Sequence, residues 1–192
     1  MPTIRPVLIL VLLSLVLQGC VPLVIGGAAT GVAVVHDRRS AATILSDQDI
    51  ELGIRQRLKK DPAFEGSHIN VTSYNNIVLL TGEVPSREVG LAAERIAQET
   101  SKVRQVHNEL VIGPPSSLAA RSNDGLLTAG VKSMLLGVDL PGFDPTRVKV
   151  VTERKTVYLM GLVTAAEADA ASEQARRVTG VAKVIRLFEI IP

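Results

Sequence analysis

The chain has no tryptophan, only two tyrosines and three phenylalanines, and a single cysteine, Cys20. With one thiol no disulfide can close within the chain, so stability has to come from packed cores even in an oxidising compartment. With so few rings, those cores are built from Val, Leu, Ile and Ala. Charge of neither sign is in excess. Against 21 Lys and Arg stand 19 Asp and Glu, a net +2, which lacks the basic footprint of a nucleic-acid binder. The three histidines, His36, His68 and His107, are scattered, and no two share a helical face, so no metal site is expected. No G-x-S-x-G, G-x-G-x-x-G or Walker loop occurs, and neither catalytic residues nor a cofactor are expected. The first apolar run, residues 7–17, is about half the ~20 residues that a spanning helix needs.

That run is followed by Leu17-Gln18-Gly19-Cys20 and preceded by one charge, Arg5. A short basic region, an apolar stretch and a small residue at a cleavage point make a bacterial secretory signal. A cysteine directly after the small residue resembles the lipobox of bacterial lipoproteins, in which the thiol receives a diacylglyceryl group and becomes the new N-terminus. The alternatives are an ordinary signal peptide or a signal anchor. The resemblance implies a signal peptide over residues 1–19, lipidation at Cys20 as the one covalent attachment, and an acylated tether over residues 20–45. Residues 21–35 are apolar, and Gly26, Gly27 and Gly31 weaken any helix there. Val21 stands where an Asp resembles an inner-membrane retention signal, which implies the outer membrane, facing the periplasm.

The rest is one unit written twice. Val71, Val78, Leu80, Gly82 and Val84 recur 79 residues on as Val150, Val157, Leu159, Gly161 and Val163. The last four matches are two apart, the period of one face of a strand, so the copies share a buried face rather than a reactive one. In the first copy Ser46 or Asp47 is the expected cap of a helix with Ile50, Ile54 and Leu58 on one side. Asp61-Pro62 ends it, and two strands then meet at Asn75-Asn76. A second helix carries Val89, Ala92, Ala93, Ile96 and Ala97, and a last strand ends the unit. The second copy repeats the order, with Asn123 or Asp124 as the expected cap, a hairpin at Arg154-Lys155 and a capping box in Thr164-Ala165-Ala166-Glu167. Boundaries fall at residues 46–112, a linker over 113–122, and 123–192. Glu88 and Glu167 recur at equivalent places, and the helix dipole accounts for both. Units this small have marginal cores, so the two are expected to pack together.

The step Leu80-Thr81-Gly82-Glu83-Val84, its counterpart Leu159-Met160-Gly161-Leu162-Val163, and Thr179-Gly180-Val181-Ala182-Lys183-Val184 resemble the BON domain. A lipobox followed by two such copies is similar to the dual BON-domain outer-membrane lipoproteins. The resemblance implies an α+β fold of two tandem BON domains, each α-β-β-α-β with a three-stranded mixed sheet packed on two helices. It also implies a non-enzymatic protein that supports envelope integrity, gathers at the division site, and binds anionic phospholipid through the first helix of the second domain. An aromatic residue leads that contact in the family, and here the position reads Leu126.

On that helix Leu127, Val131, Met134 and Leu135 cluster in one arc and should face the core. Leu126, Gly130, Ser133, Leu136 and Gly137 fall largely outside the arc, with Lys132 at its edge, free to snorkel. These six are the expected phospholipid-binding residues. The alternative from a different class is an adaptor whose sheet backs (Ile77, Leu79, Tyr158, Met160) recruit envelope-assembly or cell-wall proteins.

Overall fold

The fold is taken from a computed structural model, in which residues 37–192 are described; Cys20, the segment 21–35 and His36 lie outside them. The first copy consists of α1 (Ala41–Lys60), β1 (His68–Tyr74), β2 (Ile77–Val84), α2 (Arg87–Gln98) and β3 (Gln105–Ile112). The second consists of α3 (Leu118–Leu135), β4 (Val148–Glu153), β5 (Thr156–Thr164), α4 (Ala165–Arg176) and β6 (Lys183–Ile191). Each sheet is ordered as its strands follow in sequence, with the middle strand antiparallel to the first and parallel to the last. The shared valines and leucines pair within each hairpin, Val71 opposite Leu80 and Val150 opposite Leu159.

Both opening helices start earlier than expected. Ser40 caps α1, its side chain accepting from the Thr43 amide at 3.0 Å, so the helix reaches into the stretch assigned to the tether. Ser117 caps α3 through the Ala120 amide at 3.2 Å, and the segment between the domains shrinks accordingly. Ala-rich turns behind a good cap extend a helix wherever nothing opposes it.

Asp47 and Asp124, expected at helix starts, are instead buried inside their helices and reach across to the hairpins. Asp47 accepts from the amides of Asn75 (2.9 Å) and Asn76 (2.8 Å), and Asp124 from those of Arg154 (2.8 Å) and Lys155 (2.9 Å). All four turn residues have positive φ, between 51° and 62°. That geometry suits the right-handed twist of a two-residue hairpin but is costly for residues with a Cβ. Two charge-assisted bonds per turn hold it in place and tie helix to hairpin.

Two cores lie between helices and sheets, one built on Ile50, Ile54, Leu58, Val71, Val78 and Leu80, the other on Val131, Leu135, Val150, Val157, Leu159 and Ala171. A third lies between the two sheets, where Tyr74, Ile77 and Leu79 meet Tyr158 and Met160. Every residue of β2 is consequently buried. This corrects the expectation that these sheet backs recruit another protein, because they are covered by each other. Polar bonds rim the junction: Lys149 to Glu51 (3.0 Å), Asn75 to Glu189 (2.6 Å), and Tyr74 Oη donating to the Arg147 carbonyl (3.2 Å).

Candidate functional site

The outward face of α3 and the groove beside it form the candidate site. Leu127, Val131 and Leu135 are buried, as their spacing predicted, and Val131 and Leu135 belong to the second core. Met134 does not. It is 37 % exposed, because the helix carries its arc only as far as the neighbouring strands can cover. Turned away from the core are Leu118, Leu126 and Leu136, at 78 %, 72 % and 75 % exposure. Between them the outward positions Ser122, Gly125, Ala129 and Ser133 are small and exposed, so the leucines project from a low surface. Leu126 and Leu136 are ten residues apart, ~15 Å along the axis.

Of the six expected lipid-contact residues, Leu126, Lys132, Ser133, Leu136 and Gly137 are exposed. Gly130 is placed differently. It is only partly exposed, and a Cβ there would stand 3.2 Å from Val178 Cγ1, so Gly130 serves the close approach of α3 to the end of α4. Lys132, Ser133 and Leu136 also line a groove of about 750 Å³ whose floor includes Leu135, Val148 and Val150 and whose other wall carries Arg39, Tyr74 and Lys149. Leu126 stands apart from this groove.

The cations around the groove differ in availability. Arg39 stacks on Tyr74, 3.8 Å from the ring centroid, and binds both Asp37 and Asp47. Burial pushes the Asp37 carboxyl up, but the Arg39 hydrogen bonds outweigh it and hold the acid below its usual range. Lys149 donates to Glu51 and to the Ser73 carbonyl. Lys132, by contrast, has no partner among the described residues, and its ammonium is free for an anion. Apolar side chains on a flat helix face, a free ammonium at its edge and an apolar groove beside it make a surface suited to binding.

Arg39, Tyr74 and Lys149 escaped the sequence reading because they come from the stretch before α1 and from strands on either side of the domain junction. Leu118 escaped it because the helix was started too late; the Ser117 cap was the available signal.

No described helix is long and apolar enough to cross a membrane. The family model for the BON domain matches residues 46–114 and 123–192. The chain is 38% identical over 179 residues to the outer membrane lipoprotein DolP of Haemophilus influenzae, covering 93% of this chain and 92% of that one. It is 36% identical over 156 residues to a 21 kDa hemolysin of Actinobacillus pleuropneumoniae, covering 81% and 79% of the two chains.

Proposed function

The chain belongs to the BON-domain family, and on that premise we propose that it is an outer-membrane lipoprotein, anchored through Cys20 and facing the periplasm, whose second BON domain lays the outward face of α3 on anionic phospholipid. The observation that carries this reading is the trio of exposed leucines on α3 set among small residues, with the unpaired Lys132 beside them. Burying a leucine side chain fully is worth about 1.5–3 kcal/mol, and a lysine near an anionic surface about 1 kcal/mol. Summed over three leucines and Lys132, such a contact is measurable for the free domain, and the acyl chains of Cys20, at ~0.8 kcal/mol per buried CH₂, supply the anchoring and strengthen it by holding the domain close to the bilayer. In this reading the protein supports envelope integrity by engaging lipid, with the division site as the place where it gathers. The protein-binding adaptor loses its expected surface, since Ile77, Leu79, Tyr158 and Met160 pack between the sheets.

Flotation of the unacylated residues 37–192, which lie within one compact unit, tests the lipid reading. Binding to phosphatidylglycerol vesicles but not to phosphatidylcholine vesicles is expected; floating with neither rejects it. The anchor is tested separately. Cys20→Ala should leave the protein unprocessed or release it from the membrane fraction, and normal outer-membrane fractionation of that variant would rule out the lipobox.

A further inference from the structure

Beside α3, where the two domains meet, three groups held far apart in the sequence converge. His68 opens β1, Glu83 lies near the end of β2 and Glu153 ends β4 of the other domain; one ligand atom from each lies within 4.8 Å of the other two. Glu83 is fully buried, and its two oxygens differ in their surroundings. Oε2 faces His68 Nδ1 at 3.2 Å and accepts from the Ser116 amide at 3.0 Å. Oε1 is buried with no hydrogen-bond donor. The cation nearest to it is Arg154 Nη1 at 3.7 Å, beyond hydrogen-bond reach and on a half-exposed side chain. Glu153 is 6 % exposed and accepts from Asn70 Nδ2 at 2.8 Å. A cavity of about 290 Å³, lined by His68, Asn70, Arg121, Asp124, Thr152 and Glu153 among others, opens onto the cluster. The other charged groups on its wall are already engaged, Asp124 by the turn amides of Arg154 and Lys155, and Arg121 by the Ser116 carbonyl.

We propose that His68, Glu83 and Glu153 bind a divalent transition-metal ion, best matched by Zn²⁺, that ties the first BON domain to the second. One imidazole with two carboxylates is a donor set for zinc and its neighbours, whereas calcium and magnesium favour oxygen alone. Two ligands of a tetrahedral zinc at ~2.0–2.1 Å stand ~3.3 Å apart, close to the His68–Glu83 separation of 3.2 Å. Rotation of the Glu153 side chain closes the third side, and the cavity has room for a water in the fourth position. With Oε2 as the Glu83 ligand, a dication balances two buried carboxylates, one of which carries a second oxygen without a hydrogen-bond donor. The expectation of no metal rested on spacing along the chain, which cannot register ligands from strands of two domains. This inference is independent of the lipid reading.

The test uses the full processed lipoprotein in detergent micelles, stripped by chelator and titrated with Zn²⁺ at neutral pH by calorimetry and thermal unfolding. Co²⁺ replaces zinc for a visible spectrum. One ion per chain, a raised Tm and a tetrahedral cobalt band are expected. Glu153→Gln and His68→Gln should each weaken binding roughly tenfold or more and abolish the cobalt band, while the metal-free Tm stays near that of the parent. Glu83→Gln is left out of the set because Glu83 also holds the Ser116 amide. Absence of stoichiometric binding overturns the proposal. So does binding that survives unchanged in both variants, which would place the ion elsewhere. If one variant fails to fold, the other decides.

Discussion

The opening helices of the two domains are equivalent in the fold and unlike on their outer faces. α1 exposes Leu45 and Leu52, at 61 % and 56 %, among the long or charged side chains of Gln48, Asp49, Arg55 and Gln56. α3 exposes Leu118, Leu126 and Leu136 among Ser122, Gly125, Ala129 and Ser133. Two leucines standing in a polar lawn cannot reach a flat surface before their neighbours do; three on a low surface can. The duplicated unit keeps the core face under the constraint of packing and leaves the outer face free to diverge. The copies differ where packing does not hold them alike.

Three further pairs differ in degree. A Cβ on Gly82, whose φ is +118°, would lie 1.9 Å from the His68 carbonyl oxygen, whereas one on Gly161 would lie 2.7 Å from that of Arg147. Asp47 accepts from two turn amides, the Ser73 hydroxyl and Arg39, whereas Asp124 accepts from two turn amides alone. Glu167 caps its helix and also pairs with Arg38, whose Nη2 lies 2.9 Å from Oε1, while Glu88 is exposed in the first turn of α2.

The largest effect is expected at the glycines. Gly82→Val meets backbone in a left-handed conformation and should cost more than ~4 kcal/mol in urea unfolding. Gly161→Val also meets backbone, but at 2.7 Å and without a left-handed φ, and should cost about 2–3 kcal/mol; equal losses would erase the distinction between the hairpins. Next come the aspartates. Asp47→Ala should cost about 3 kcal/mol, since it breaks a buried ion pair as well as the turn anchor, and Asp124→Ala about 1–2 kcal/mol. The reverse order would show that the second hairpin depends more on its anchor.

A smaller effect concerns acid. Burial pushes the Glu167 carboxyl up, but the hydrogen bond from Arg38 outweighs it, so the folded pKa lies below the ordinary 4.5. The unfolded chain therefore binds this proton first. The stability from the pair is fully present above that ordinary value and lost as pH falls through the lowered one. Glu167→Gln should flatten the acid limb of the stability profile below pH 4.5, and Glu88→Gln should flatten it less, because the Ser86 hydrogen bond that holds the Glu88 carboxyl below its ordinary value is fully exposed to solvent. An unaltered acid limb in the Glu167 variant would mean that the Arg38 clasp contributes nothing. The smallest change in stability, within ~0.5 kcal/mol, is expected for Leu126→Asp and Leu52→Asp. Here the readout is flotation: the first variant should lose anionic vesicles and the second should keep them. Equal flotation would remove the functional difference between the helices.

Element type was legible in the chain because it rests on periods of 2 and 3.6, each stated within a dozen residues; the hairpins were legible in the turns at Asn75-Asn76 and Arg154-Lys155, and the repeat in its constant offset of 79 residues. The apolar identity of Ile77, Leu79, Tyr158 and Met160 was legible as well. What covers them was not, since a hydrophobic pattern says that a face must be buried and not against what; the docking of the sheets decided that. The exposed leucines of α3 could be read from a helical wheel, but Gly130 could not be told apart from its neighbours until α4 was in place beside it. The two aspartates read as caps because their helices' true starts lay further upstream. Their bonds to hairpins 28 to 31 residues away exist only once helix and turn are packed. His68 and Glu83 face each other across the hairpin that turns at Asn75-Asn76, but Glu153 lies furthest from any sequence signal. It joins them only through the docking of the second domain, and chain spacing carries no information about that distance.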